Sequence, residues 1–404
     1  MSLKLKAAIL ISSSAVLLFM VVGGLDGVRA SSNDGAYRQL QVYSEVLSRV
    51  QGDYVESPNI PAVTDGALHG LLESLDSNSS YLSPAEYKIY KAQPKDGAAD
   101  IGAAVSKRFG YATVVAVIPG SSAEKAGLTS GDIIEAIEGR STRDMSLAEI
   151  RNLLSGAPGS NVTVSVVRAR KAQPDKMTIT REVTVIPPVS DKLVEDGIGV
   201  IQVDALNKGK AQEIANKIKQ VEKQGAKKLI LDLRNCAEGD EAEGVAVANL
   251  FLNHGTIAYV QGQKYPRQAF SADPSKDITN LPLVVLVNKG TAGAAEIVAA
   301  AILENARGDV VGDKTFGDGS VQKLLELPDG GALILSIAKY YSPSGKAIQD
   351  VSVTPNVLVA DAEDNVPTDS DGNPVESNDQ EKKAEPQKDD QMQKAIEVLK
   401  SHNG

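Results

Sequence analysis

Three apolar runs in the second half of the chain leave little choice of architecture: "IGVIQV" from Ile198, "KKLILDLRN" from Lys227 and "LPLVVLVN" from Leu281. Each is followed by a stretch with helical spacing, "GKAQEIANKIKQVEKQG", "DEAEGVAVANLFLNHG" and "AAEIVAAAILENAR". Short, almost wholly apolar strands alternating with helices are the pattern of parallel βαβ units, whose sheet is covered on both faces. Residues 188–360 are therefore expected to form an α/β core. In such sheets ligands meet the C-terminal ends of the strands. That directs attention to "NKGTAG" after the third run. A hairpin follows, "QKLLEL" turning at Pro328 to Gly331 into "ALILSIAKYYS".

Residues 98–187 have a different grain. Short β-branched strands, a Pro-Gly turn, a Gly-Asp turn and one clear helix in about 90 residues outline a small, partly open β-barrel. The segment "AEKAGLTSGD" and the helix from Ser146 to Leu154 resemble a PDZ domain. That resemblance implies an extended peptide added to a sheet edge, with a terminal carboxylate held by loop amides. The positions it assigns to the peptide are Asp100, Ile101, Gly102, Ala103, Leu147 and Ile150. Asp100 would set a negative charge against an incoming carboxylate, and an internal strand is the alternative occupant.

The chain opens "MSLKLKAAILISSSAVLLFMVVGG", with Lys4 and Lys6 before an apolar run and small residues at Val28 and Ala30. This order predicts a secretory signal over 1–30, with an uncleaved anchor as the rival, and a location in the periplasm or cell envelope. Apolar residues recur at helical spacing from Tyr37 to Val55 and from Ile60 to Leu75, so 31–97 is read as a helical pairing region suited to homo- or hetero-oligomers. Residues 361–388 are acidic and polar, a composition that predicts a disordered linker. Beyond it, Met392, Ala395, Ile396 and Leu399 form the apolar stripe of a docking helix over 389–404.

A formal net charge of −10 argues against a nucleic-acid partner. One cysteine, Cys236, excludes an intrachain disulfide, and three scattered histidines, His69, His254 and His402, give no zinc pattern. No cofactor is expected.

Taken in order, the signal, paired helices with "SLDSNSSYLSPAEY", PDZ segment, α/β core, "YYSPSGKAIQDVSVTPNV" and terminal "DQMQKAIEVLK" resemble the carboxyl-terminal processing, or tail-specific, serine peptidases. The resemblance implies a crotonase/ClpP-like core and cleavage of protein C-termini by a serine nucleophile with a lysine base. In the family the serine lies in a run like "GSASASE" and the lysine in "FGKGSVQ". Here the runs are "GTAGAAE" and "FGDGSVQ", which place Gly293 at the nucleophile and Asp318 at the base, 25 residues apart as in the family. The family's orienting glutamine is Gln322. The oxyanion turn, "RNNPGG" in the family, reads "RNCAEG", so Glu238 and Gly239 take its glycine positions.

A serine hydroxyl needs an adjacent base, and the oxyanion needs amide donors. All three parts are altered, which leads to the expectation of an inactive member acting as scaffold, adaptor or regulator, with an active peptidase as one natural partner. The alternative is a peptidase with a relocated nucleophile, drawn from Thr291, Ser320 or Cys236, with Lys314 or Lys323 as base, or one completed in trans. Thr291 is expected to cap the helix beginning near Gly293. A weaker alternative has Asp318, Glu238 and Glu296 converge on a divalent cation.

Overall fold

The computed structural model describes residues 34–92, 99–108, 110–168, 173–360 and 389–401. The signal and linker readings fall outside these residues. Among the described residues no helix is long and apolar enough to cross a membrane. Contacts divide the chain into a unit ending at Ala67 and a unit beginning at Leu68.

The first unit contains α1 (Asp34–Asp53) and the start of α2 (Ile60–Glu73). Along α1, Tyr37, Leu40 and Val46 are exposed although apolar.

In the second unit the sequence after α2 departs from the all-helical expectation. Ser80–Leu82 form β1, followed by α3 (Pro84–Ala92). The cause is local. Asp76 accepts hydrogen bonds from Asn78 N, Ser79 N and Ser336 Oγ at 2.9, 2.7 and 3.1 Å, and so staples this turn to a strand far along the chain.

Residues 103–180 form the expected small barrel-like sheet. Its strands are β2 (Ala103–Arg108), β3 (Tyr111–Val117), β4 (Ile133–Ile137), β5 (Arg140–Ser141), β6 (Asn161–Val167) and β7 (Asp175–Thr180), in the order β2-β3-β4-β6-β7 with β5 on β4. Two helices close it, α4 (Ser122–Lys125) and α5 (Leu147–Leu154). Their N-caps are Ser121 and Ser146, whose hydroxyls accept from Glu124 N and Glu149 N.

The α/β core uses β8 (Ser190–Val194), β9 (Ile198–Gln202), β10 (Ala205–Leu206), α6 (Lys210–Lys223), β11 (Lys228–Asp232), β12 (Glu238–Gly239) and α7 (Glu241–Asn249). It continues through β13 (Thr256–Gln261), β14 (Gln268–Ser271), β15 (Leu283–Val287), α8 (Ala294–Glu304) and β16 (Asp309–Gly312). Its last parts are β17 (Ser320–Glu326), β18 (Ala332–Tyr341), β19 (Val357–Leu358) and α9 (Asp390–Ser401). The central sheet runs β19-β16-β15-β11-β9-β8, parallel except for the antiparallel edge strand β8.

Strand alternation sorts its side chains onto two faces. Ile201, Leu229, Leu231, Val285 and Val287 pack under Ile214, Ile218, Val247 and Val298 of α6, α7 and α8. The intervening Val200, Ile230, Val284 and Leu286 face Ala395 and Leu399 of α9. The C-terminal docking helix is thus the second cover of the sheet. Arg234 fastens its start, pairing with Asp232 at 2.7 Å and with Asp389 at 2.9 Å. A second, antiparallel sheet, β1-β18-β13-β14 with β17 on β18, carries the hairpin that the sequence indicated.

Candidate functional site

The two positions matched to a nucleophile and a base lie 25 residues apart in sequence and meet at one oxygen. Glu296 Oε2 accepts from Gly293 N at 3.0 Å and from Asp318 N at 2.8 Å. Its Oε1 accepts from Gly317 N at 2.8 Å and from the Thr315 hydroxyl. Glu296 is fully buried. Burial pushes its carboxyl up to about 8, against the opposing pull of these hydrogen bonds. One buried carboxylate therefore gathers the start of α8 and the "TFGD" loop into a single frame.

At Gly293 the backbone has φ 60° and ψ −120°, and a Cβ added there meets no atom within 4 Å. The left-handed φ suits glycine, yet the space for a side chain is open. Asp318 receives a hydrogen bond from Asn78 Nδ2 at 3.3 Å. Its carboxyl is raised by burial first, an effect that Arg151 and Asn78 oppose.

Gln322 does not reach Asp318: its amide donates to Ser320 Oγ at 2.5 Å, so the orienting role expected for it is not made here. Asn78 also donates to that hydroxyl, at 2.8 Å. Asn78 was hidden to sequence reasoning because 240 residues separate it from Asp318.

The alternative nucleophiles are all committed elsewhere. Thr291 is not the helix cap; Gly293 is. The Thr291 hydroxyl donates to Leu233 O at 2.8 Å and accepts from Asn288 N at 3.0 Å, which ties two strand ends together. Cys236 is buried in the apolar core, and burial pushes its thiol far up, away from the reactive thiolate. Lys314 and Lys323 are exposed. The cation reading also fails, because Glu296 is taken by N–H and O–H donors. Among the described residues no cluster of three His, Cys, Asp or Glu is placed to hold a metal ion.

Glu238 and Gly239 form β12, paired in parallel with β10. With Asp318 they line a cavity of about 350 Å³ whose opposite wall is the barrel, including Asp100, Ile101, Ala103 and Arg151. Glu238 is exposed and lines the cavity. Its carboxyl is raised, by enclosure first and then by the charges of Asp100 and Asp318, with Arg151 opposing.

On the barrel side Asp100 accepts from Gly102 N at 2.8 Å and from Thr184 Oγ1 at 2.7 Å, so a side chain of the protein already occupies a loop amide. Leu147 and Ile150 do not line the cavity. They point into the buried barrel core, and α5 presents Arg151 and Leu154 instead. The two walls are joined by Val115, Ala292 and Phe316, with Ala104 and Ala237 packed against them. Arg108 adds a hydrogen bond to Phe316 O and lies 4.0 Å over the Phe316 ring.

A parallel α/β sheet with its altered loops at the strand ends, facing a PDZ-like barrel across one cavity, defines the class: a protein of carboxyl-terminal processing peptidase architecture. Residues 197–359 match peptidase family S41 and residues 113–168 match the PDZ domain. The chain is 32% identical over 362 residues to the carboxy-terminal processing protease CtpA of Bacillus subtilis, spanning 88% of this chain and 77% of that one. It is 34% identical over 299 residues to the carboxyl-terminal-processing protease of a Picosynechococcus species, spanning 73% and 72%. The solved photosystem II D1 C-terminal processing protease superposes with a TM-score of 0.66 at 26% identity, over 82% of this chain and 95% of that chain. The chain belongs to peptidase family S41.

Proposed function

We propose that this chain is a pseudopeptidase, which binds peptides or an active relative and acts as scaffold, adaptor or regulator of proteolysis. The observation that carries the reading is the pairing of Gly293 N and Asp318 N on Glu296 Oε2. The frame of a serine–lysine site is assembled, and neither position bears a nucleophile or a basic amine. Loss of the nucleophile alone costs on the order of a millionfold in rate, so the neighbouring hydroxyls, themselves hydrogen-bonded away, offer no useful turnover.

Export to the periplasm or cell envelope is supported by the basic, apolar and small-residue order of the first 30 residues. Pairing with another subunit is supported by the exposed Tyr37, Leu40 and Val46 along α1. The test is a proteolysis assay of the purified mature protein on unstructured substrates, beside the Gly293→Ala variant. No cleavage is expected from either. Cleavage that Gly293→Ala leaves unchanged would overturn the reading and return the chain to the active enzymes.

A further inference from the structure

Resting on that reading, we propose that the cavity between the barrel and the altered site takes an extended peptide segment through a lysine or arginine side chain rather than through a terminal carboxylate. The first support is the open strand edge. Among the described residues β2 pairs only with β3, and residues 103–106 line the cavity. A peptide added to that edge gains backbone hydrogen bonds, and the cavity wall then selects the side chain.

The second support is the charge of that wall. Its charged residues are three carboxylates, Asp100, Glu238 and Asp318, and one cation, Arg151. Glu238 stands where the family has glycine and Asp318 where it has lysine, so both departures move the site toward negative charge. The Glu238 carboxylate has no hydrogen-bond or ion-pair partner among the described residues, which leaves both oxygens open to a donor from the cavity. A terminal carboxylate has the opposite prospect. It would meet three like charges, and the Gly102 amide already donates to Asp100.

Arg151 is the third support, because it occupies the cavity as a ligand cation would. It reaches from α5 to the β2 edge, where Nη2 donates to Val105 O at 3.2 Å, and its charge acts on both Glu238 and Asp318. An incoming basic segment pairing with β2 displaces that contact and supplies its own cation to the same carboxylates.

The experiment is fluorescence anisotropy with the full mature protein and three labelled peptides of equal length: one with internal lysines and an amidated end, one with neutral side chains and a free C-terminus, and one with internal glutamates. The lysine peptide is expected to bind at least roughly tenfold tighter than the other two. Glu238→Gln, close to isosteric, is expected to weaken it about tenfold and leave the neutral peptide unchanged, with Asp318→Asn as a second probe. Arg151→Ala should tighten it. Equal or tighter binding of the free C-terminus, no binding of any peptide, or indifference to both Glu238→Gln and Asp318→Asn would overturn the proposal. Mass spectrometry of the same samples separates the two levels: a cleaved peptide sinks the pseudopeptidase reading, whereas an intact peptide bound by its carboxylate sinks only this one.

Discussion

The two walls of the cavity are built by different means. On the core side the frame depends on a single buried acceptor, Glu296, and three of its four donors are main-chain N–H groups of Gly293, Gly317 and Asp318. Any residue other than proline can donate such a bond, so the frame is blind to the side chains at 293 and 318. On the barrel side an unpaired strand edge and the exchangeable contact of Arg151 with Val105 O define the surface. On the proposed reading, this difference is how the chain keeps the shape of the site without its chemistry, because side chains at 293 and 318 give the frame no support.

The strongest way to break this comparison is to install a serine and a lysine at the two positions. Gly293→Ser has room, since a Cβ there meets nothing within 4 Å, although its φ of 60° strains any residue but glycine. Asp318→Lys restores the amine, but beside Glu238 that amine would stay protonated and remain a poor base. The triple variant Gly293→Ser, Asp318→Lys, Glu238→Gly is therefore expected to cleave an unstructured substrate measurably, and Gly293→Ser alone is not. The parts of such a site act as a unit, and the span between them is several orders of magnitude in rate. A triple variant that folds and remains inert would mean that the frame itself has been lost.

The next largest effect concerns the frame. Glu296→Ala leaves buried N–H groups without an acceptor and opens a void, at a cost of about 3–5 kcal/mol in urea denaturation. Glu296→Gln keeps an acceptor and the shape, and should cost clearly less. Equal losses would mean that the carboxylate packs the site without organising it.

Much of this arrangement was legible in the chain. The continuous apolar runs of β9, β11 and β15 announce a sheet buried on both faces, and the stripe of Met392, Ala395, Ile396 and Leu399 announces the helix that covers one of them. Gly293 and Asp318 were picked out by motif spacing, and the fold brings their amides together on Glu296. The strand at Ser80–Leu82 was not, since three residues carry no periodicity and their partner β18 lies some 250 residues away. Nor were Asn78 and Arg151, whose roles arise only from tertiary contact. Leu147 and Ile150 lie in the barrel core, and α5 meets the cavity at its C-terminal end, through Arg151 and Leu154.

The pH dependence of stability separates the frame from the rest of the fold. Glu296 has a folded pKa of about 8 against 4.5 for the free group, burial being the main cause. The folded state holds that proton more tightly than the unfolded state. Its contribution to stability is thus complete below pH 4.5 and lost as pH rises to about 8. Asp318, also raised by burial, acts in the same sense. Glu86 acts in the opposite one: burial raises it, but hydrogen bonds with His69 and Ser83 outweigh that and hold it down to about 2. Its contribution is present above pH 4.5 and lost as pH falls toward 2. Thermal melts should show both losses, with Glu296→Gln flattening only the fall above pH 4.5. A fall on that side that survives in Glu296→Gln and Asp318→Asn together would assign it to other groups.

The smallest expected effect tests whether the walls depend on each other. Arg108, exposed on β2, is bound to Phe316 O and lies over the Phe316 ring, two residues before Asp318. Arg108→Ala removes a surface cation–π contact with its hydrogen bond, for about 0.5–1 kcal/mol. Because Glu296 holds Gly317 N and Asp318 N from the core side, the loop should keep its place and its amides their slow hydrogen exchange. Arg108→Lys retains the charge and loses the planar stacking, so it should recover only part of the melting temperature. Rapid exchange across residues 315–318 in Arg108→Ala would show that the barrel, and not the buried glutamate, holds the frame, and the two walls would then have to be read as one.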